Sequence, residues 1–357
     1  YKTGLFTSPH LVSLRERVCV DGRRIPTRSV TAFIDRYRKV LSQRKLSFFE
    51  LITAMGLYYF ARVGVDIAVI ETGLGGRLDA TNVLNPILTL TTNISHDHVE
   101  ILGSTVARIA AEKAGIIKPS VPHLTGILPA AADRVIRRQC EKLNAPYYRL
   151  TPQEFLPRPD KMSFDFSSNG LAMQNLHPSL IGGCQLKNSA LVVKAASILN
   201  DSGLKISRRA IREGIGNTRW PGRFQVRQYQ RKPTHVFDVC HNTAGVRAFV
   251  ESFEAVFPGR KAFVLAGLVK RKEHQKMFDQ LSAIAHGYSL VPLKTGRSTD
   301  LAELMRTVNW RGVPCRKFGS LKTAYFNLLQ TCTPDDIIIV IGSHYLVGEF
   351  FDKYGIK

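Results

Sequence analysis

The segment from Glu71 to Asn82 contains residue types whose spacing could bind a metal ion and let the backbone approach a ligand closely. Its sequence is Glu-Thr-Gly-Leu-Gly-Gly-Arg-Leu-Asp-Ala-Thr-Asn, and it follows an apolar run at 65–70 that predicts a buried strand. The Glu71 carboxylate would then lie at the carboxyl end of a strand, where ligands bind in open α/β sheets, and could hold a hard cation such as Mg²⁺. A tight strand-to-helix turn explains the glycines equally well, so both interpretations stay open.

Polar residues follow other predicted strands in the same way. His96 and His98 come after a strand predicted at 87–92, where they could bind a metal ion or form ordinary hydrogen bonds within a loop. No cysteine or third histidine lies close to them in the sequence, which argues against zinc. Asp238 and His241 follow a strand in the second half of the chain, where an acid can accept from a ribose hydroxyl. A helix N-cap is the alternative role for this acid.

Three further segments carry polar residues at the ends of predicted elements. The sequence Phe-Thr-Ser-Pro-His at 6–10 ends the first predicted strand, and Ser343 follows the last one. Lys113 lies near the end of a helix predicted at 104–114, where a lysine usually only complements the helix dipole. Four or five polar strand ends that point to one crevice are stronger evidence for a ligand site than any one of them alone.

The elements that position these residues alternate between strands and helices along most of the chain. We predict strands at 1–6, 66–70, 87–92, 123–127, 234–239, 262–266, 288–293 and 337–341, and helices at 46–63, 104–114 with Ser104 as N-cap, 130–143 and 188–199. This alternation predicts an α/β fold with a mostly parallel sheet and helices on both faces. Short alternating runs at 163–166 and 171–173 predict a small antiparallel hairpin inserted in the first domain.

Length and composition favour a globular protein of two domains. The chain has 357 residues, and its 44% hydrophobic and 22% charged content is ordinary for a protein with a large core. We place the domain boundary near Phe224. Six scattered cysteines without a C-x-x-C pair argue against a disulfide framework or a zinc ribbon, and they favour a reducing cytoplasm.

The net charge of +22 requires an explanation. The basic residues are spread along the chain without a basic tail or an aromatic-basic repeat, which argues against nucleic-acid binding. A generally basic surface that attracts nucleotides and polycarboxylates explains the charge better. No apolar run approaches the length of a membrane span. We therefore expect a cytoplasmic monomer with small-molecule partners and neither a nucleic-acid nor a membrane partner.

Taken in order, these motifs resemble the folylpolyglutamate synthase and dihydrofolate synthase family, a branch of the Mur ligase superfamily. The matching segments extend from Gly4 to Glu349 and are GLFTSPHLVSLRERV, SFFELITA, ETGLGGRLDATNVL, SHDHVEILGSTVARIAAEKAGIIKP, GGCQLKNSALV, RWPGRFQ, DVCHNTAG and IGSHYLVGE. The Gly-Gly-Arg-Leu-Asp-Ala-Thr-Asn run and the Glu-Lys-Ala-Gly-Ile-Ile-Lys-Pro run are specific to this family.

The resemblance implies a role for each matched site residue. The implied ligands of Mg²⁺ are Ser8, Glu71, His98 and a carbamylated Lys113, and the implied catalytic residues are Lys113, Glu71 and His98. The implied contacts to ATP are Asn188, Arg223 on phosphate, Asp238 near the ribose, and His241. The implied substrate contacts are Asp79 and Asn82, which would shape the substrate side of the turn, and Ser343, which would help hold glutamate. Two positions depart from the family pattern, with Cys184 in place of a common histidine and His96 in place of a common apolar residue.

The same resemblance implies an ATP-dependent ligase that joins glutamate to a folate or dihydropteroate carboxylate through an acyl phosphate. Its domains would be a Mur ligase-like ATPase and folate-binding domain at 1–223 and a Rossmann-like ligase domain at 224–357. Another Mur-type ligase, acting on a cell-wall nucleotide precursor, is the first alternative, and the Thr-Ser-Pro-His-Leu segment argues against it. A catalytically dead binding relative is the second alternative.

The family carries a phosphate-binding P-loop upstream of the Phe-Thr-Ser-Pro-His segment, but no G-x-x-x-x-G-K-[ST] occurs in this sequence. Either the sequence is truncated or the chain is a degenerate relative. The start at Tyr1, in the middle of a motif, favours truncation, and the 357-residue chain alone is then expected to be inactive or nearly so.

Overall fold

A computed structural model describes residues 1–95, 99–168, 170–270, 273–309 and 312–356. Contacts between residues divide the chain into two compact units, Tyr1–Arg149 and Leu150–Lys357. The sequence-based boundary near Phe224 differs from this division and stays a prediction.

The first unit contains seven strands and five α-helices within the described residues. Its strands are β1 (Thr3–Phe6), β2 (Val18–Val20), β3 (Arg23–Arg24), β4 (Ile67–Ile70), β5 (Thr89–Thr91), β6 (His123–Thr125) and β7 (Tyr147–Arg149). Its helices are α1 (Thr27–Gln43), α2 (Phe48–Val63), α3 (Val99–Leu102), α4 (Val106–Ala114) and α5 (Ala130–Lys142).

The described strands of this unit form two sheets, with the orders β3-β2-β1-β4 and β5-β6-β7. Strand β1 runs parallel to β4 and antiparallel to β2, and β5, β6 and β7 are mutually parallel. The strand predicted at 66–70 exists, but the prediction that it is buried is wrong, because β4 is at the edge of its sheet and leaves Val69 54% exposed.

Local capping fixes where two helices of this unit, α2 and α4, begin. Helix α2 starts with a capping box in which the Ser47 hydroxyl accepts from the Glu50 N–H and the Glu50 carboxylate accepts from the Ser47 N–H. Helix α4 begins after Thr105, whose hydroxyl accepts from the Arg108 N–H, so the prediction of Ser104 as N-cap is wrong by one residue.

The second unit contains nine strands and seven α-helices within the described residues. Its strands are β8 (Phe155–Arg158), β9 (Ser163–Ser168), β10 (Leu171–Leu176), β11 (Gln225–Tyr229), β12 (Lys232–Asp238), β13 (Ala262–Ala266), β14 (Ala285–Leu290), β15 (Cys315–Lys317) and β16 (Ile337–Ile341). Its helices are α6 (Gly183–Asp201), α7 (Arg208–Asn217), α8 (Thr243–Val256), α9 (His274–Leu281), α10 (Leu301–Asn309), α11 (Leu321–Thr331) and α12 (His344–Tyr354).

A six-stranded sheet with the order β11-β12-β16-β13-β14-β15 organises this unit. Only β11 runs antiparallel to its neighbour, and the central strand β16 is buried along its whole length. The predicted antiparallel hairpin forms as β9 and β10, with β8 as a third strand. It groups with the second unit, in which Lys194 of α6 forms an ion pair with Glu154 beside β8, at 2.5 Å between Nζ and Oε1.

No helix in the described part of the chain is both long enough and apolar enough to cross a membrane. All six cysteines lie within the described ranges and are free thiols.

Two buried histidines should make the fold less stable as the pH falls. His123 in β6 and His235 in β12 are fully buried, and burial lowers the pKa of each from 6.5 to about 4. Below pH 6.5 the unfolded chain takes up protons that the folded chain does not, so this stability is complete above pH 6.5 and is lost between pH 6.5 and about 4. Each histidine should lower the free energy of unfolding by about 2 kcal/mol between pH 7 and pH 5.

Urea unfolding of His235→Phe at the two pH values tests this expectation. The His235 ring packs against Tyr229 and Phe237, and its Nε2 has no hydrogen-bond partner among the described residues. Phenylalanine keeps the aromatic packing but cannot take up a proton. The free energy of unfolding of the variant should therefore fall by about 2 kcal/mol less than that of the wild type between pH 7 and pH 5. In the exposed control His286→Phe, the free energy of unfolding should fall between pH 7 and pH 5 by as much as in the wild type. Equal losses in His235→Phe and the wild type would contradict the assignment.

Candidate functional site

The first cluster of predicted site residues forms where β1 and β4 end. The parallel register pairs Phe6 with Ile70, so Ser8 and Glu71 emerge at the same edge of the sheet. The backbone N–H of Ser8 donates to Glu71 Oε2 at 2.7 Å, and the N–H of Glu71 donates to the Phe6 carbonyl at 2.9 Å. The structure therefore brings together two residues with hard oxygen donors, the carboxylate and the hydroxyl that were predicted as metal ligands.

Asp79 holds the glycine-rich turn together from inside. Its Oδ2 accepts from the Leu74 N–H at 2.9 Å, while its Oδ1 accepts from the N–H and the hydroxyl of Thr81 at 2.9 and 2.6 Å. These bonds cap the short 3-10 helix Ala80–Val83 and fix the path of the chain after the glycines. Asp79 thus fixes the turn through two backbone N–H groups and the Thr81 hydroxyl, while its predicted role toward substrate stays a prediction.

The turn packs closely against the end of α4. A Cβ on Gly76 would lie 2.9 Å from the Glu112 carbonyl oxygen and 3.0 Å from that of Lys113, and a Cβ on Gly115 would lie 2.4 Å from the Arg77 Cα. Only glycine permits this approach at both positions. Arg77 also forms an ion pair with Glu112 at 3.0 Å.

Asn82 adds a second connection between the turn and α4. Its Nδ2 donates to the carbonyl oxygens of Arg77 and Gly115, both at 3.0 Å. Lys113 lies in the last turn of α4, so these contacts fix its backbone beside the glycine-rich turn. Asn82 and the Arg77–Glu112 ion pair hold the end of α4, and with it Lys113, against the glycine-rich turn. The sequence analysis did not assign this role to them.

The remaining predicted metal ligand, His98, lies outside the described residues, and so does His96. The assignments to both histidines stay predictions. Within the described ranges, no group of three or more histidine, cysteine, aspartate or glutamate side chains is arranged to hold a metal ion.

In the second unit, Asp238 is buried at the carboxyl end of β12. Its Oδ2 accepts from the Phe224 N–H at 2.8 Å, and its Oδ1 accepts from the Cys240 N–H at 2.7 Å. Burial raises the pKa of Asp238, while the nearby Arg223 guanidinium and the two N–H donors oppose that shift. Asp238 therefore anchors the Trp-Pro-Gly-Arg-Phe turn at 220–224 to the sheet, and it places Arg223 at the same strand end.

His241 and Ser343 follow two neighbouring strands, β12 and β16. The Nδ1 of His241 lies 3.1 Å from the Val239 carbonyl oxygen, and the ring faces His344, with ring centroids 5.8 Å apart. Ser343 is 3% exposed, and its hydroxyl caps α12 by accepting from the Leu346 N–H at 3.1 Å. The sequence analysis gave no role to His344.

Asn188 occupies an exposed position on α6, and its Nδ2 donates to Gln185 Oε1 at 3.4 Å. Cys184, the departure from the family pattern, is exposed one turn before it on the same helix. The roles predicted for Asn188, Arg223, Asp238, His241 and Ser343 toward ATP and glutamate stay predictions.

Two family domains match the chain. The Mur ligase middle domain matches residues 29–196, and the glutamate ligase domain of Mur ligases matches residues 222–344. The α/β fold, the polar strand ends and these two matches define the class of protein, which is the Mur-type, ATP-dependent ligases.

Three individual proteins show which branch of that class applies. A dihydrofolate synthase/folylpolyglutamate synthase of Bacillus subtilis is 37% identical, over 98% of this chain and 83% of that protein. A folylpolyglutamate synthase of Lacticaseibacillus casei is 30% identical, over 97% of this chain and 82% of that protein. The solved structure of E. coli FolC in complex with DHPP and ADP has a TM-score of 0.89 and 27% identity, over 99% of this chain and 82% of that one. The chain belongs to the folylpolyglutamate synthase/dihydrofolate synthase family.

Proposed function

We propose that this protein uses ATP to join L-glutamate to the carboxylate of a folate or dihydropteroate. The observation that carries the proposal is the first-unit cluster, in which Glu71 and Ser8 meet at a strand end and a rigid glycine-rich turn adjoins Lys113. Relatives with 37% and 30% identity are named as dihydrofolate and folylpolyglutamate synthases, and the E. coli relative was solved with DHPP and ADP.

The reaction has two steps. A carboxylate oxygen of the pterin substrate attacks the γ-phosphorus of ATP, which forms an acyl phosphate and releases ADP. The amine of glutamate then attacks the acyl carbon, and the tetrahedral intermediate expels phosphate and a proton to leave an amide. Charge develops on phosphoryl and carbonyl oxygens in both steps, so the main task of the protein is to position the reactants and stabilise this charge.

The donor set of the first unit fits a hard divalent cation. Glu71 supplies a carboxylate, Ser8 a hydroxyl, and a carbamylated Lys113 would supply a second carboxylate-like group. When bound, the cation would neutralise charge on the phosphate oxygens. Carbamylation forms a bond between the neutral amine of Lys113 and the carbon of CO₂, and it releases one proton. His98 stays the proposed fourth ligand.

The strand ends of the second unit suit the nucleotide and the amino acid. Arg223 presents a guanidinium, which matches phosphate geometry, and Asp238 fixes the turn that carries it. The N-terminus of α8 begins beside His241, and helix N-termini favour anions. We propose that Asn188 and His241 complete the ATP site and that the Ser343 hydroxyl, which keeps a proton to donate, helps to hold glutamate.

We propose the cytoplasm as the location, because free thiols persist in a reducing compartment. We propose a monomer that acts on small molecules, without a nucleic-acid partner.

The complete natural polypeptide should release ADP and phosphate only when ATP, glutamate and a folate or pteroate are all present. The acyl phosphate cannot form without the pterin carboxylate, and it is not consumed without the amine. A coupled ADP assay with single omissions measures this dependence, and mass analysis of the pterin product should show one added glutamyl group. Phosphate release that requires a UDP-linked muramyl precursor instead would favour the rival ligase, and pterin binding without ADP release would favour a dead relative.

A further inference from the structure

We propose that His344 contacts substrate and acts together with His241 to bind an oxyanion. The oxyanion is either a phosphate of ATP or a carboxylate of the incoming amino acid, since both present the same chemistry to an imidazole. The proposal rests on the proposed ligase function and adds a residue to its site.

The sheet register places the two histidines at the same level. Strands β12 and β16 are parallel neighbours, and their pairing sets Asp238 opposite Ile341. Each histidine follows its member of that pair by three residues, so both leave the carboxyl edge of the sheet side by side. Their ring centroids are 5.8 Å apart, and the ring planes are inclined at 58°. Ligands bind at this edge in open α/β sheets.

The hydrogen bond of His241 determines which of its ring atoms can meet a ligand. Its Nδ1 lies 3.1 Å from the Val239 carbonyl oxygen, and because a carbonyl only accepts, Nδ1 carries the proton. Nε2 can donate to an oxyanion when the ring carries a second proton, as imidazolium, because the neutral tautomer leaves only a lone pair there. Both His241 and His344 are partly exposed, whereas the neighbouring Ser343 is 3% exposed and caps α12 with its hydroxyl.

The electrostatics of this edge favour an anion between the rings. Helix α8, 14 residues long, begins after its cap Asn242, and α12, 11 residues long, begins at His344 itself. The positive ends of two helix dipoles therefore meet beside the histidine pair. The Asp238 carboxylate at the same edge is already engaged by two backbone N–H groups. Imidazole N–H donors complement these dipoles, and carboxylate or phosphate oxygens are suitable acceptors.

The test compares steady-state kinetics of His344→Leu and His344→Gln in the complete enzyme. Leucine removes the donor, so the KM for one substrate should rise about tenfold or more, while kcat changes less. Glutamine retains an N–H donor and should recover part of the loss. A rise in the KM for ATP identifies the oxyanion as phosphate, and a rise in the KM for glutamate identifies it as the carboxylate.

The matched control is His286→Leu. His286 is exposed near the amino end of β14, at the opposite edge of the same sheet, so both KM values should stay unchanged. If His344→Leu does not fold, His344→Asn takes its place, because the shorter amide cannot reach the same oxygen. An active, folded His344 variant with both KM values unchanged would overturn the proposal. A wild type that releases no ADP with folate and glutamate would instead refute the proposed function.

Discussion

Lys113→Ala should lower the turnover number of the complete enzyme by about 10²–10³-fold. The reason is the proposed carbamate, which changes a cation into a carboxylate-like ligand for the divalent metal ion. The backbone of Lys113 is fixed beside the glycine-rich turn. A Cβ atom added to Gly76 would lie 3.0 Å from the Lys113 carbonyl oxygen. Acetate or a similar small acid should restore part of the activity, since it can occupy the vacated ligand position.

The control for this prediction is Lys142→Ala. Lys142 is an exposed lysine in the last turn of α5, a position that matches Lys113 in α4, and its removal should leave turnover unchanged. Lys118 is a poorer control because its Nζ donates to the Asn82 carbonyl oxygen at 2.8 Å and so holds the turn. Carbon-13 NMR with labelled CO₂ should show a carbamate signal that Lys113→Ala lacks. Its absence from the wild type in the presence of Mg²⁺ and ATP would refute the modification.

Strands were easiest to predict where their own residues form a continuous apolar run. The predicted strands 262–266 and 337–341 have the same bounds as β13 and β16, because these strands are buried on both faces and form continuous apolar runs. Burial of β4 could not be predicted in the same way. Its sequence is equally apolar, but its burial depends on which strands lie beside it, and its free edge leaves Val69 exposed.

Helix starts were missed where no side-chain cap marks them. Helix α1 begins after Pro26 without a side-chain cap, so the sequence carried no side-chain start signal there. Its apolar residues Val30, Phe33 and Ile34 do recur at helical spacing and pack in the core, and this signal was missed. Helix α6 was predicted at 188–199 but begins at Gly183, after Gly182 and again without a side-chain cap. The glycines there resemble a loop in the sequence, and contacts with the rest of the unit override that preference.

The positions of the candidate site residues could be predicted, but their contacts could not. Asp238 was correctly placed at a strand end, with a ribose contact or a helix N-cap as its two possible roles. The structure bonds it to the N–H of Phe224, which is 14 residues earlier, and to that of Cys240, while the ribose contact stays a prediction. Such a long-range partner leaves no local pattern in the sequence. The polar strand ends were visible because they follow apolar runs, whereas their hydrogen bonds depend on tertiary packing.

Asp238→Ala should both destabilise the second unit and raise the KM for ATP. It leaves the buried N–H groups of Phe224 and Cys240 without their acceptor, which should lower the free energy of unfolding by about 2–4 kcal/mol in total. It also releases the turn at 220–224 that carries Arg223, so the KM for ATP should rise by about one to two decades. The KM for the pterin substrate should change less.

Asp238→Asn separates the structural role from the nucleotide role. The single side-chain carbonyl oxygen of asparagine can accept from one of the two N–H groups, while its NH₂ group faces the other N–H and cannot accept from it. The stability of this variant should therefore fall between those of the wild type and Asp238→Ala. Asp352→Ala, at an exposed position on α12, is the control and should change neither urea unfolding nor ATP titration. An unchanged unfolding midpoint in Asp238→Ala would contradict the anchoring role. Unchanged ATP affinity together with a collapse of pterin affinity would remove Asp238 from the nucleotide site, because the turn that it anchors would then serve the other substrate.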